Sequence, residues 1–276
     1  MKNTLISFLL IAFINSLSAQ HVELVIYKKV DTASLEIKVL YPKDHAKDDS
    51  RPAAVFFFGG GWNGGTIDHF KPQADLLSSK GMVCFLVEYR TRNSHGTTPV
   101  EALKDAKSAM RFVRANAKSY GVDPNRIAAG GGSAGGHLAA ATAFIDSYNE
   151  VTDDLGIGSV PNALLLFNPV VDNGPGGYGY ERVGNYFQDF SPLHNLRPGA
   201  PPTLFLLGTK DRLIPVETGR YYQTIMERMG SKCELILYEG QEHGFFNDRN
   251  PEYHKKTNQA MVDFLISIGY LTEKDK

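Results

Sequence analysis

The sequence predicts an α/β fold: a mostly parallel central sheet with helices on both faces, and antiparallel strands at the N-terminal edge. Three observations carry that expectation. Apolar runs alternate with segments of helical period along most of the chain. Most of these runs are continuous, as strands covered on both faces require. The first two segments, "VELVIY" (22–27) and "SLEIKVLY" (34–41), instead read as an antiparallel pair.

The remaining elements follow in order. "PAAVFFF" (52–58) is an apolar run stopped by glycines, and "GMVCFLVEYR" (81–90) is a second buried strand. Residues 99–118 place Leu103, Ala106, Met110, Val113 and Ala117 on one helical face, with Pro99 at the start. A turn and a short strand, Arg126–Ala129, lead into "AGGHLAAATAFI", helical by composition. "NALLLFNPVV" (162–171) and "PTLFLLGT" (202–209) are again buried strands. Residues 215–229 read as a helix, "CELILY" as the last strand and 251–268 as the last helix. Residues 172–199 form one long non-periodic insert, and such a loop in a compact domain usually serves function. No second domain, fixed-period repeat or low-complexity segment is expected within residues 20–276.

Composition narrows the classes of function. The 276 residues are 42% hydrophobic and 21% charged, with a formal net charge of -1. There is no basic field to attract nucleic acid. Residues 1–19 read as a secretory signal peptide: Lys2, an apolar run from Leu5 to Ile14, then small residues up to Ala19. The apolar run is too short to span a bilayer, so no membrane association is expected. A secreted or periplasmic location follows as an expectation. Cys84 and Cys233 lie in separate apolar runs and read as core thiols rather than a bridge; their spacing suits no metal site, and no cofactor is expected.

In parallel sheets function gathers at the carboxyl ends of the strands. There "GGGSAGG" presents Ser133 within Gly131-Gly132-Ser133-Ala134-Gly135, between a predicted strand and a predicted helix. Small residues on both sides make a sharp strand-to-helix elbow sterically possible, and the helix N-terminus favours negative charge beside the hydroxyl. A phosphate loop would end in G-K-[ST], which is absent. A serine nucleophile needs a base and an acid to orient it. His243 follows the last strand on a loop between Gly240 and Gly244. Asp211 follows the strand before it, with Asp172, at the end of an earlier strand, as the alternative acid. An oxyanion needs N–H donors: Ala134, after the serine, and Gly60 and Gly61 in "FFFGGGWNGG".

With these motifs assembled, the chain resembles the α/β-hydrolase esterases of the hormone-sensitive-lipase-like group. Within it the chain is similar to secreted bacterial acetylxylan-esterase-like carbohydrate esterases, on "FFFGGGWNGGT", "EYRTRNSHGTTP", "IAAGGGSAGGH" and "EGQEHGFFN". The resemblance covers about residues 50–270. It implies acyl transfer through Ser133, His243 and Asp211 on an acylated carbohydrate. Trp62, Tyr178 and Tyr180 are the candidate sugar-contacting aromatics. Two departures stand out. Phe58 replaces the group's histidine, removing a hydrogen bond expected to hold the oxyanion loop, and Gly132 replaces an acidic residue. A feruloyl esterase would use the same machinery. A prolyl-oligopeptidase-like peptidase would need a propeller domain, and a non-catalytic relative would have lost a triad residue. The oligomeric state is not legible.

Overall fold

A computed structural model of the chain describes residues 21–276; the expected leader at 1–19 lies outside them. The elements are β1 (Val22–Val30), β2 (Ala33–Leu40), β3 (Arg51–Phe57), α1 (Lys71–Ser79), β4 (Val83–Val87), α2 (Arg92–His95) and α3 (Pro99–Ala115). They continue as β5 (Val122–Gly132), α4 (Ala134–Phe144), β6 (Ala163–Phe167), α5 (Tyr180–Val183), α6 (Phe187–Phe190), β7 (Thr203–Gly208), α7 (Val216–Arg228), β8 (Cys233–Tyr238) and α8 (Pro251–Ser267).

The strands form an eight-stranded sheet in the order β1-β2-β4-β3-β5-β6-β7-β8. β1 pairs antiparallel with β2, and β2 antiparallel with β4; from β4 to β8 every pairing is parallel. This is the predicted arrangement, and the burial patterns explain it. β3, β4, β6 and β7 are buried along nearly their whole length, as continuous apolar runs should be. Alternate residues of one strand feed two cores. Val55 and Phe57 pack with Leu103, Ala106, Met110 and Leu138 on the face covered by α3, α4 and α7. Ala54 and Phe56 pack with Leu77, Met261, Phe264 and Leu265 on the face covered by α1 and α8. Each large apolar side chain so buried contributes about 1.5–3 kcal/mol. Cys84 and Cys233 are free and buried, on β4 and β8.

Three elements differ from the sequence expectation. α1 carries no apolar stripe: its buried face is Gln73, Ala74, Leu77 and Ser78, half of it polar. β5 runs beyond Ala129 through three glycines, which pair with Phe56 and Phe57 of β3 and with Leu165 to Phe167 of β6. Glycine is a poor strand former, but two flanking strands impose the conformation here. The 172–199 insert is not shapeless. It folds into α5, α6 and short 3-10 turns, anchored by the buried Val183 and Phe190.

Candidate active site

Ser133 sits at the elbow between β5 and α4 with φ 55° and ψ −120°. A non-glycine residue with positive φ is strained, and the surrounding structure must hold it there. It does so through the backbone. Ser133 N–H donates to the Phe167 carbonyl (3.1 Å), and the Ser133 carbonyl accepts from His137 (3.0 Å) and Val170 (3.1 Å). The flanking glycines are required for space. A Cβ at Gly135 would collide with the Phe57 carbonyl, and one at Gly131 would lie 2.6 Å from the same oxygen. Gly132, where the resemblance implies an acid, has its own steric reason. A Cβ there would lie 2.6 Å from Phe246 Cζ and 3.3 Å from Phe70 Cζ, in a cluster where Phe70 stacks on Phe246 and Phe167 packs at an angle against both.

Asp211 lies just past β7 and His243 just past β8. The fully buried Asp211 carboxylate accepts from Leu213 N–H (2.8 Å) and Ile214 N–H (3.0 Å) through Oδ1, and from His243 Nδ1 (2.7 Å) through Oδ2. Because a carboxylate can only accept, the His243 proton sits on Nδ1 and Nε2 keeps its lone pair. Asp172 is elsewhere: its Oδ1 accepts from Gly174 N–H and lies 3.9 Å from His194 Nδ1. The two loops are drawn together by Gly208, where a Cβ would lie 2.7 Å from the Gln241 carbonyl carbon, and by Lys210 N–H donating to the Gln241 carbonyl (2.8 Å).

Ser133 and His243 line one cavity of about 270 Å³ with Gly59, Gly60, Gly61, Asn168 and Tyr178. Gly60 (φ 137°) and Gly61 (φ 62°) need the conformational freedom of glycine. Ala134 begins α4 beside the serine.

Four further residues hold this site together, and sequence reasoning did not single them out. Gly59 N–H donates to His69 Nδ1 (2.9 Å), so His69 carries its proton on Nε2, which donates to Asn247 Oδ1 (2.8 Å). Asn247 Nδ2 donates to the Gly244 carbonyl (2.8 Å), next to His243. Asn168 Oδ1 accepts from Gly244 N–H (3.0 Å), which turns Asn168 Nδ2 toward His243 Nε2 at 3.4 Å. A hydrogen-bonded relay therefore links the glycine loop to the histidine loop. Burial holds the His69 pKa below its ordinary value, keeping the neutral form this relay requires. The histidine missing at position 58 is also compensated. Tyr89 Oη donates to the Phe58 carbonyl (2.7 Å), and the two rings stack at 4.0 Å. Of the four, only Asn168 carried a sequence signal: a polar residue ending a buried strand and followed by proline.

The expected sugar-contacting aromatics divide. Tyr178 lines the Ser133 cavity. Trp62 and Tyr180 do not. Trp62 is 1% exposed, its ring packed edge-on against His137 and Phe190, so no free face is left for a sugar in that cavity. Tyr180 lies against Phe187. His137 is itself structural: its Nε2 donates to the Phe190 carbonyl (3.1 Å), and burial pushes its pKa down to about 3.

A strained serine at a strand-to-helix elbow, a histidine paired with a buried aspartate and a glycine loop on the same cavity are the marks of an α/β-hydrolase esterase. Comparison with known proteins agrees, and the chain belongs to that family. Residues 38–173 match the BD-FAE family model and residues 178–268 the dienelactone hydrolase family model. Among solved structures, Thermogutta terrifontis esterase 2 phosphorylated by paraoxon is 40% identical, with a TM-score of 0.86 over 91% of this chain and 95% of that one. Its propionate-bound form is 40% identical with a TM-score of 0.85, over the same shares of the two chains. An acetylxylan esterase of Xylanibacter ruminicola is 31% identical over 80% of this chain; the match covers 47% of that longer protein.

Proposed function

We propose that this chain is an exported serine carboxylesterase that removes short acyl groups, acetyl foremost, from carbohydrate such as acetylated xylan. The observation that carries the reading is one cavity lined by Ser133, His243 and the Gly59–Gly61 loop, with the Asp211 carboxylate 2.7 Å behind His243. Ser133 Oγ attacks the ester carbonyl as His243 Nε2 takes its proton. Asp211 holds the imidazole and stabilises its cation. N–H groups of Gly60, Gly61 and Ala134 stabilise the oxyanion. The carbonyl–alkoxy bond then breaks, and the alcohol leaves with the proton from His243. Water attacks the acyl-enzyme by the same path and releases the acid.

The short-acyl part of the reading is supported by the modest cavity, and by the propionate- and butyrate-bound forms of the Thermogutta esterase. The carbohydrate part is supported by the similarity to the acetylxylan esterase, and Tyr178 is the residue proposed to contact the sugar. Export rests on the leader-like residues 1–19.

Ser133→Ala should lower hydrolysis of 4-nitrophenyl acetate by about 10⁶-fold. Full activity in that variant refutes the nucleophile. Acetate release from acetylxylan tests the substrate, and activity confined to feruloyl or long acyl esters refutes it.

A further inference from the structure

Beside the oxyanion loop lies a second cavity, of about 230 Å³, which the esterase chemistry does not use. Trp62, which directly follows Gly61, lines it together with Arg92, Thr97 and Arg182. Tyr178 is the link between the two cavities: it lines the one that holds Ser133, and its ring lies under the Arg182 guanidinium at 5.1 Å.

The charge of this second cavity is one-sided. No aspartate or glutamate lines it. Arg92 forms no ion pair among the described residues. Its backbone N–H donates to the Trp62 carbonyl (3.0 Å), which fixes its segment against the cavity wall. Arg182 is already oriented: it stacks over Trp62 and Tyr178, at 5.1 Å from each ring, and donates to the Gly61 carbonyl. Among the described residues its one ion pair is with Glu181, 70% exposed. The nearby Glu101 is engaged by Thr98 through a 2.9 Å bond from the backbone N–H and a 2.6 Å bond from the hydroxyl. Guanidinium groups are the side chains best matched to a planar carboxylate.

We propose that this cavity is a subsite for a carboxylate carried by the substrate, held by Arg92 and Arg182. Resting on the esterase reading, this makes the preferred substrate an acyl ester with an acidic group close to the scissile bond. Two sources share that chemistry: a uronate ring on the alcohol side, or a second carboxylate on the acyl side.

Trp62 is the only tryptophan in the sequence, so its fluorescence reports on this cavity without any catalytic turnover. Glucuronate should change Trp62 emission saturably, while glucose should not. Arg92→Gln should weaken that binding about tenfold, the effect of one lost charge-assisted contact, with partial recovery in Arg92→Lys. Added salt should weaken it as well. In kinetics, an acetylated glucuronoside should exceed its C6 amide in kcat/KM if the carboxylate lies on the alcohol side. A 4-nitrophenyl hemisuccinate should exceed the butyrate if it lies on the acyl side. Equal emission changes with glucuronate and glucose, together with no charged preference in either ester pair, overturn the subsite. Hydrolysis of neutral esters under those conditions leaves the esterase reading standing.

Discussion

Replacing His69 isolates the support of the oxyanion loop from the chemistry itself. His69 forms no hydrogen bond to Asp211 or His243; it accepts the Gly59 N–H at 2.9 Å and passes the connection on to Asn247. His69→Phe keeps a ring beside Phe70 and Phe246, whose centroids lie 5.0 and 5.7 Å away, but removes the acceptor. Leaving the half-buried Gly59 N–H unpaired costs at most about 1–3 kcal/mol. If the loop moves to recover that energy, the oxyanion donors next to Gly59 move with it. Expressed as rate, 1–3 kcal/mol corresponds to roughly 5- to 150-fold, its upper end just reaching the about 10²–10³ that loss of a whole oxyanion donor costs. The fall should appear in kcat for 4-nitrophenyl acetate with KM little changed, because the oxyanion exists only in the transition state. His69→Asn presents Oδ1 near the place of Nδ1 and should restore most of the rate. The pH dependence has a definite sign. The folded pKa of His69 lies below 6.5, so its stabilising contribution is complete above 6.5 and is lost as pH falls through the folded value, where protonated Nδ1 ceases to accept. His69→Asn should lack this acid-side component. A folded His69→Phe protein with kcat within twofold of the parent refutes the relay.

Two other outcomes follow from packing and charge. Gly132→Asp, which restores the residue type expected from the resemblance, should destabilise the protein by about 1–3 kcal/mol, because the new Cβ meets the Phe246 ring at 2.6 Å; urea unfolding measures it, and unchanged stability counts against the steric explanation. Asp105→Ala should cost about 3–5 kcal/mol: the fully buried Asp105 carboxylate accepts from Lys28 Nζ (2.6 Å) and from Arg90 Nε (2.8 Å) and Nη2 (2.9 Å), and the substitution leaves both cations buried without it. A loss below 1 kcal/mol in chemical denaturation would show that Glu150, 3.0 Å from Lys28, suffices alone.

Much of the arrangement is local enough to be written in the chain. Continuous apolar runs mark buried strands, and the glycines around Ser133 mark an elbow because the backbone there leaves no room for a Cβ. His243 stands out because it follows the last strand, and the loop glycines because three of them follow a buried strand. α1 escaped notice because half of its buried face is polar. The sequence favours Asp211, just past a buried strand and before a helix, over Asp172, and the folded loops bring Asp211 to 2.7 Å from His243.

The same division runs through the whole protein. Sequence alone determined most of the strands and the long helices, the strand-end positions of Ser133, Asp211 and His243, and the family resemblance, because period, turn chemistry and motif spacing act over a few residues. Tertiary structure decided what holds those residues: the relay from Gly59 through His69 and Asn247 to Gly244, the Asn168 contact to His243, and the phenylalanine cluster that occupies the space an acid at position 132 would need. It also removed Trp62 from the Ser133 cavity and set it beside two arginines. Such contacts join residues far apart in the chain, and no local pattern encodes which distant groups will meet.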